Sequence, residues 1–267
     1  MKIGRIGYIN CAPVYGAIDR SVVALPPGGE LVTGTPAELN DLLVAGELDV
    51  SVISAIEYAR HAPELVLLPD LAISCDGPVR SVALFSRRTV RQLDGRTVLL
   101  SASSRTSVAL LELLCRDVWK IRPKFAEARA EAQDLEALAA LPHEAVLVIG
   151  DPALKLAAAG TYAHRYDLGE EWKRWTGKPF VFAVWAARRA ADPAAVQRGH
   201  ESLLASRAWG LEHLEEIAGE TARVTRLPVA TCREYLSGLD YAFGERHRAA
   251  LMDFLRRAGV PQFMQVA

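Results

Sequence analysis

The chain has 267 residues, 51% of them apolar and 24% charged, and its 31 Lys plus Arg against 32 Asp plus Glu leave a formal net charge of −1. This balance excludes disordered, collagen-like and coiled-coil chains. It also offers no basic face for nucleic acid or for a membrane surface, which leaves a small-molecule ligand as the expected partner.

In chain order, short β-type runs alternate with helical patterns, the signature of an α/β fold with largely parallel sheets. Residues 2–9 read as a first strand, and Asn10, Cys11, Ala12 and Pro13 turn into a helix through Asp19. Residues 30–34 are a second strand. Thr35, Pro36, Ala37 and Glu38 then make a capping box with Pro at the first helical position, opening a helix to about residue 47. Residues 49–54 form a buried third strand, followed by a helix over 55–61 and a strand over 66–73. After the turn Cys75-Asp76-Gly77-Pro78, residues 80–86 run extended.

A second α/β series follows, with strands expected at 97–101, 124–128 and 145–150 and helices at 104–119 and 134–141. Asp151 and Pro152 start a further helix, with Asp as the favoured N-cap. Residues 180–187 are a long apolar strand, and the chain beyond Asp192 and Pro193 is mainly helical. The order predicts two lobes, 1–84 plus 182–267 and 85–181, around a cleft where the carboxyl ends of strands converge.

Four scattered cysteines and six unclustered histidines signal neither a disulfide framework nor a metal site, so no metal and no cofactor are expected. The apolar N-terminal run is broken by Gly7, Asn10 and Pro13 and lacks a following Ala-x-Ala, and no stretch is long enough for a membrane helix, so a cytoplasmic protein is expected.

Several polar residues fall where a cleft would open. Ser101, Ser103, Ser104, Arg105, Thr106 and Ser107 sit between a strand and an apolar helix, where free N–H groups attract an anion. Simple capping is the alternative for one of those hydroxyls. Asn10 and Ser54 end strands and serve as caps or as ligand contacts. Arg80 and Ser81 lie on the expected crossing between lobes, where an arginine suits a carboxylate. Asp151 is an N-cap or a general base. The aromatic run Trp172, Trp175, Phe180, Phe182 and Trp185 reads as core.

Four stretches, occurring in order, carry a family resemblance. They are 4–15 (GRIGYINCAPVY), 75–81 (CDGPVRS), 103–107 (SRTS preceded by Ser103) and the run from Trp172 through WTGKPFVFAVW, 175–185. Together they resemble the chorismate dehydratases of the futalosine route to menaquinone. The resemblance implies a type II periplasmic-binding-protein-like fold used for catalysis, with the active site in the interlobe cleft. It also implies loss of water from chorismate, a dicarboxylate, to give 3-[(1-carboxyvinyl)oxy]benzoate. On this resemblance Asn10 orients substrate and Ser81 hydrogen-bonds or relays a proton near the reacting carbon; Ser54, Ser104, Arg105, Thr106, Ser107 and Asp151 are substrate-binding candidates from their own positions at strand ends and helix starts. The sister 1,4-dihydroxy-6-naphthoate synthases resemble the chain less, because their catalytic histidine would fall near Gly150 and Asp151. A non-catalytic solute-binding protein is the reading from another class.

Overall fold

A computed structural model of the chain describes residues 1–100, 104–127 and 141–260. Strands β1 (Lys2–Ile6), β2 (Glu30–Gly34), β3 (Val50–Ser54), β4 (Leu65–Cys75) and β10 (Phe180–Arg188) form one sheet, in the order β2-β1-β3-β10-β4. Strands β5 (Val82–Ser86), β6 (Thr97–Leu100), β7 (Lys124–Glu127), β8 (Ala145–Ile149) and β9 (His164–Asp167) form the other, in the order β7-β6-β8-β5-β9. The two sheets share one plan: three parallel strands, then an antiparallel strand that has crossed from the other half of the chain, then an edge. The central strands β3 (VSVIS) and β8 (AVLVI) are buried along their whole length, as parallel strands covered on both faces must be.

Among the described residues, the parallel strands β1, β2, β3, β6 and β8 each lead into a helix whose start is set by local chemistry. In α2 (Pro36–Ala45), Thr35 and Glu38 form the expected capping box, and Gly46 ends the helix in the left-handed region. Helix α1 (Ala12–Asp19) has Pro13 in its first turn, and β1 stops at Ile6, giving way to a 3-10 turn at Ile9–Cys11. Helix α3 is Ala55–Arg60. The helix expected over 104–119 is α-helical only as α4 (Arg105–Leu113); it widens to a π-helix at Leu114–Trp119 and ends at Lys120 with φ 56°. The helix expected at 134–141 lies outside the described residues but for its last residue. Helix α5 (Gly150–Ala159) corrects the reading of Asp151 as its cap: the N-cap is Ile149, and Asp151 sits in the first turn with its carboxylate turned elsewhere.

Strand β9 and helix α6 (Leu168–Thr176) are elements the sequence pattern did not suggest. The C-terminal part is helical as expected: α7 (Pro193–Glu212, capped by Asp192), α8 (Leu214–Thr225), α9 (Val229–Ser237) and α10 (Glu245–Ala258). The aromatic run is core. Trp172 and Trp185 are fully buried, and Trp172 meets Phe180 edge-on at 5.2 Å. Only Phe182 turns part of its ring toward the cleft.

The chain passes between the sheets twice, at 76–81 and at 177–179. The first crossing is held by one buried carboxylate. Asp167 accepts from Val79 N (3.0 Å) and Arg80 N (2.6 Å) while also capping α6 through Gly169 N and Glu170 N. Arg80 takes φ 65° and Ser81 N donates back to Val79 O (2.8 Å), a γ-turn of the strained hand. Such a turn persists only where its surroundings over-determine it, which Asp167 does here.

Candidate active site

A small cavity of about 50 Å³ lies between the lobes. Asn10, Ser54 and Phe182 line it from the first sheet's side, and Ser104, Ser107 and Gly150 from the second. Ser81 reaches it from the end of the first crossing. Three helices of nine or ten residues, α2, α4 and α5, begin at its wall with Pro36, Ser104 and Gly150, so their partial positive ends converge on it. Among the described residues its lining holds no Asp, Glu, Lys, Arg or His. An anion placed here would be held by dipoles and hydroxyls rather than by a counter-ion.

The polar groups are already oriented. Asn10 Oδ1 is buried and has no hydrogen-bond partner, an acceptor awaiting a donor. The Ser54 hydroxyl accepts from Asn40 Nδ2 (3.1 Å), while Ser54 N donates to Asn40 Oδ1 (3.0 Å). Ser54 stands at the N-cap position of α3 but makes no capping bond, so its hydroxyl serves the cavity. Ser104 caps α4 by accepting from Ser107 N (3.3 Å), and its hydroxyl donates to Ser107 Oγ (2.8 Å). Ser81 Oγ accepts from the Tyr235 hydroxyl at 2.8 Å.

The structure thus brings Asn10, Ser54, Ser81, Ser104 and Ser107 to one cavity. Ser101 and Ser103 lie outside the described residues. Arg105, Thr106 and Asp151 are turned away, onto the facing lobe. Thr106 Oγ1 accepts from Ile56 N (3.2 Å), and Asp151 Oδ1 accepts from Ile9 N (3.1 Å). Arg105 pairs with the buried Glu57 and, at 2.6 Å, with Asp41. The cause is helical geometry: Ser104 and Ser107 are three residues apart and share a face, whereas Arg105 and Thr106 project between them toward α3. These three residues hold the cleft shut. Arg80 does not face the cavity either; its guanidinium pairs with Glu234 at 2.6 Å.

Gly150 closes the remaining side. It takes φ 67°, and a Cβ there would stand 2.6 Å from the Tyr8 ring, so only glycine lets Tyr8 lie against this backbone. Asp151 next to it is pushed up to about 6, chiefly by burial and against the pull of the Ile9 N–H bond.

Sequence reasoning missed Asn40, Asp167 and Tyr235. Asn40 left a signal, being a polar residue beside Leu39 on the buried face of α2, where it needs partners. A wider groove shares Ile6 and Tyr8 with the cavity, but its cation, Arg5, is already paired with Asp19 (2.5 Å). No three or more His, Cys, Asp or Glu side chains gather as a metal site would require among the described residues, and no helix there is long and apolar enough to cross a membrane.

A crystal structure of a protein from Archaeoglobus fulgidus superposes with a TM-score of 0.80 at 19% identity, covering 97% of this chain and 96% of that one. The alkanesulfonate-binding protein of Xanthomonas axonopodis pv. citri, bound to MOPS, gives 0.68 at 16% identity over 97% and 93%. The fold is therefore periplasmic-binding-protein-like and two-lobed. In sequence, the chain is 34% identical to the chorismate dehydratase of Thermus thermophilus over 97% of its own length and 95% of that protein. It is 30% identical to the chorismate dehydratase of Campylobacter jejuni over 68% and 66%. A family model described as menaquinone biosynthesis matches residues 1–259. On both grounds the chain belongs to the menaquinone-biosynthesis family, among its chorismate dehydratases.

Proposed function

We propose that the chain is a hydro-lyase that removes water from chorismate to give 3-[(1-carboxyvinyl)oxy]benzoate, a cytoplasmic step toward menaquinone. The observation that carries this reading is the cavity itself, closed between two lobes and lined by an unpaired amide oxygen, four serines and three helix starts without a charged side chain among the described residues.

The chemistry suits such a site. The ring hydrogen on the ether-bearing carbon is acidified through the conjugated ring carboxylate, and its loss places charge on that carboxylate as a dienolate. Ser104, Ser107 and the start of α4 would stabilise this charge where it develops. The neighbouring C–O bond then breaks with its electron pair, the hydroxyl departs as water with the abstracted proton, and the ring becomes aromatic. Asn10 Oδ1 would accept a hydrogen bond from the ring hydroxyl of the substrate. With Asp151 engaged at Ile9, the proton acceptor in this reading is the substrate's own enolpyruvyl carboxylate, folded over the ring.

Incubation of the purified protein with chorismate is expected to give a product lighter by one water, read by mass spectrometry. Unchanged chorismate at saturating protein would reject the assignment.

A further inference from the structure

Behind the cavity lies a layer of buried hydroxyls and thiols that the dehydration chemistry above does not use. Tyr235, on α9, is 1% exposed, and its hydroxyl is 2.8 Å from Ser81 Oγ. Tyr241 is 2% exposed, and its hydroxyl has no partner. Cys11 and Cys75 are buried thiols close enough to act on Tyr235 electrostatically.

A hydroxyl carries one proton, so two paired hydroxyls leave one proton to be placed elsewhere. With Tyr235 donating, the proton of Ser81 is directed into the cavity that Ser81 lines. In the reverse arrangement the tyrosine's proton would have no acceptor, since the Tyr241 hydroxyl, the other oxygen of this layer, makes no hydrogen bond. An unmet buried donor is costly, so the first arrangement is favoured. Burial, outweighing the opposing pull of the Ser81 bond, sets the Tyr235 hydroxyl well above the ordinary tyrosine range, so it stays protonated and remains a donor. Across the cavity Asn40 Nδ2 donates to Ser54 in the same sense.

We propose that Tyr235 is a positioning residue which fixes the proton of Ser81 toward the cavity, so that Ser81 meets substrate as a hydrogen-bond donor. This rests on the dehydration reading and deepens it. Ser81 then does not abstract the ring proton. It donates to negative charge on the substrate, and Tyr235 sets that polarity without touching the substrate.

The test is a double-mutant cycle of Tyr235→Phe and Ser81→Ala, read as kcat and KM for chorismate with melting temperatures alongside. Tyr235→Phe is expected to lower kcat about tenfold, less than the ~10²–10³ that loss of a direct donor costs. KM should stay within about twofold, and the substitution should have no further effect once Ser81 is alanine. An equal loss in both backgrounds, or no loss in either, would overturn the proposal. Site-specific 3-fluorotyrosine at 235 keeps the shape and strengthens the donor; kcat at or above the unmodified level is expected, and a fall like that of Tyr235→Phe would count against the proposal. An inert wild type would overturn the dehydration reading and the proposal with it, whereas an active wild type with an additive cycle would overturn the proposal alone.

Discussion

The two rims of the cleft are built on one topological plan and serve different ends. On the first sheet's rim, each polar residue has a single role, with Asn10 and Ser54 facing the cavity and Glu57 and Asp41 facing the other lobe. On the second sheet's rim the roles alternate along the chain. Ser104 and Ser107 face the cavity while Arg105 and Thr106, between them, grip the first lobe. Gly150 lines the cavity and Asp151, next to it, grips Ile9. On the second rim, forming the site and closing the cleft are therefore the same event. A substrate that draws the start of α4 inward also seats Thr106 and Arg105.

The contrast can be broken most severely at Asn10, which faces only the cavity. Asn10→Ala is expected to lower turnover by about 10²–10³, as loss of a transition-state hydrogen bond does, with an unchanged circular dichroism spectrum; near-normal turnover would remove it from the site. Thr106→Val is next. It keeps the shape but leaves the buried Ile56 N–H unpaired, about 1–3 kcal/mol against the closed form. KM for chorismate should rise about tenfold with kcat within about twofold, and a change confined to kcat would place Thr106 in the chemistry instead. Arg105→Ala should do less. Its guanidinium is partly exposed and Glu57 keeps Arg60 at 2.6 Å, so KM should change by no more than about fivefold. The change should fade in high salt.

Asp151→Asn gives the smallest effect on turnover and the sharpest signature. Asparagine keeps an acceptor for Ile9 N but does not titrate. The carboxyl of Asp151 is raised from 3.8 to about 6, so the folded chain binds this proton more tightly than the unfolded one. Its contribution to stability is therefore present below pH 3.8 and lost as pH rises through about 6. The melting temperature of the variant relative to wild type should climb across that window and level off above it. A difference independent of pH would show that the carboxyl titrates normally.

Much of this arrangement was legible in the sequence. The Thr35–Glu38 capping box set the start of α2, and buried runs such as 145–149 located the central strands. Asn10, Ser54, Ser104 and Ser107 were recognisable as polar residues at strand ends and helix starts, and Ser81 as one on the crossing between lobes; the five share the cavity. What composition could not carry was direction. Arg105 and Thr106 are as polar as their neighbours, and only the rotation of successive residues about a helix separates ligand-facing from lobe-facing positions. Strand β9 (HRYD) escaped because an edge strand with one buried residue shows no apolar run, and Asp167 escaped with it. Tyr235 lies 154 residues from Ser81, and no local pattern announces a partner at that distance.

The γ-turn at Arg80 has a mechanical consequence. In a body that opens about two chain crossings, displacement grows with distance from the axis. Ser107, on the second rim and not bonded to either crossing, would sweep a longer arc. Ser81 ends one of the crossings and is tied through Tyr235 to one lobe and through its carbonyl, which accepts from Gly150 N (2.7 Å), to the other. It sits near the pivot and travels least. Its hydroxyl is thus a fixed point against which an arriving substrate can be registered before the far rim swings in.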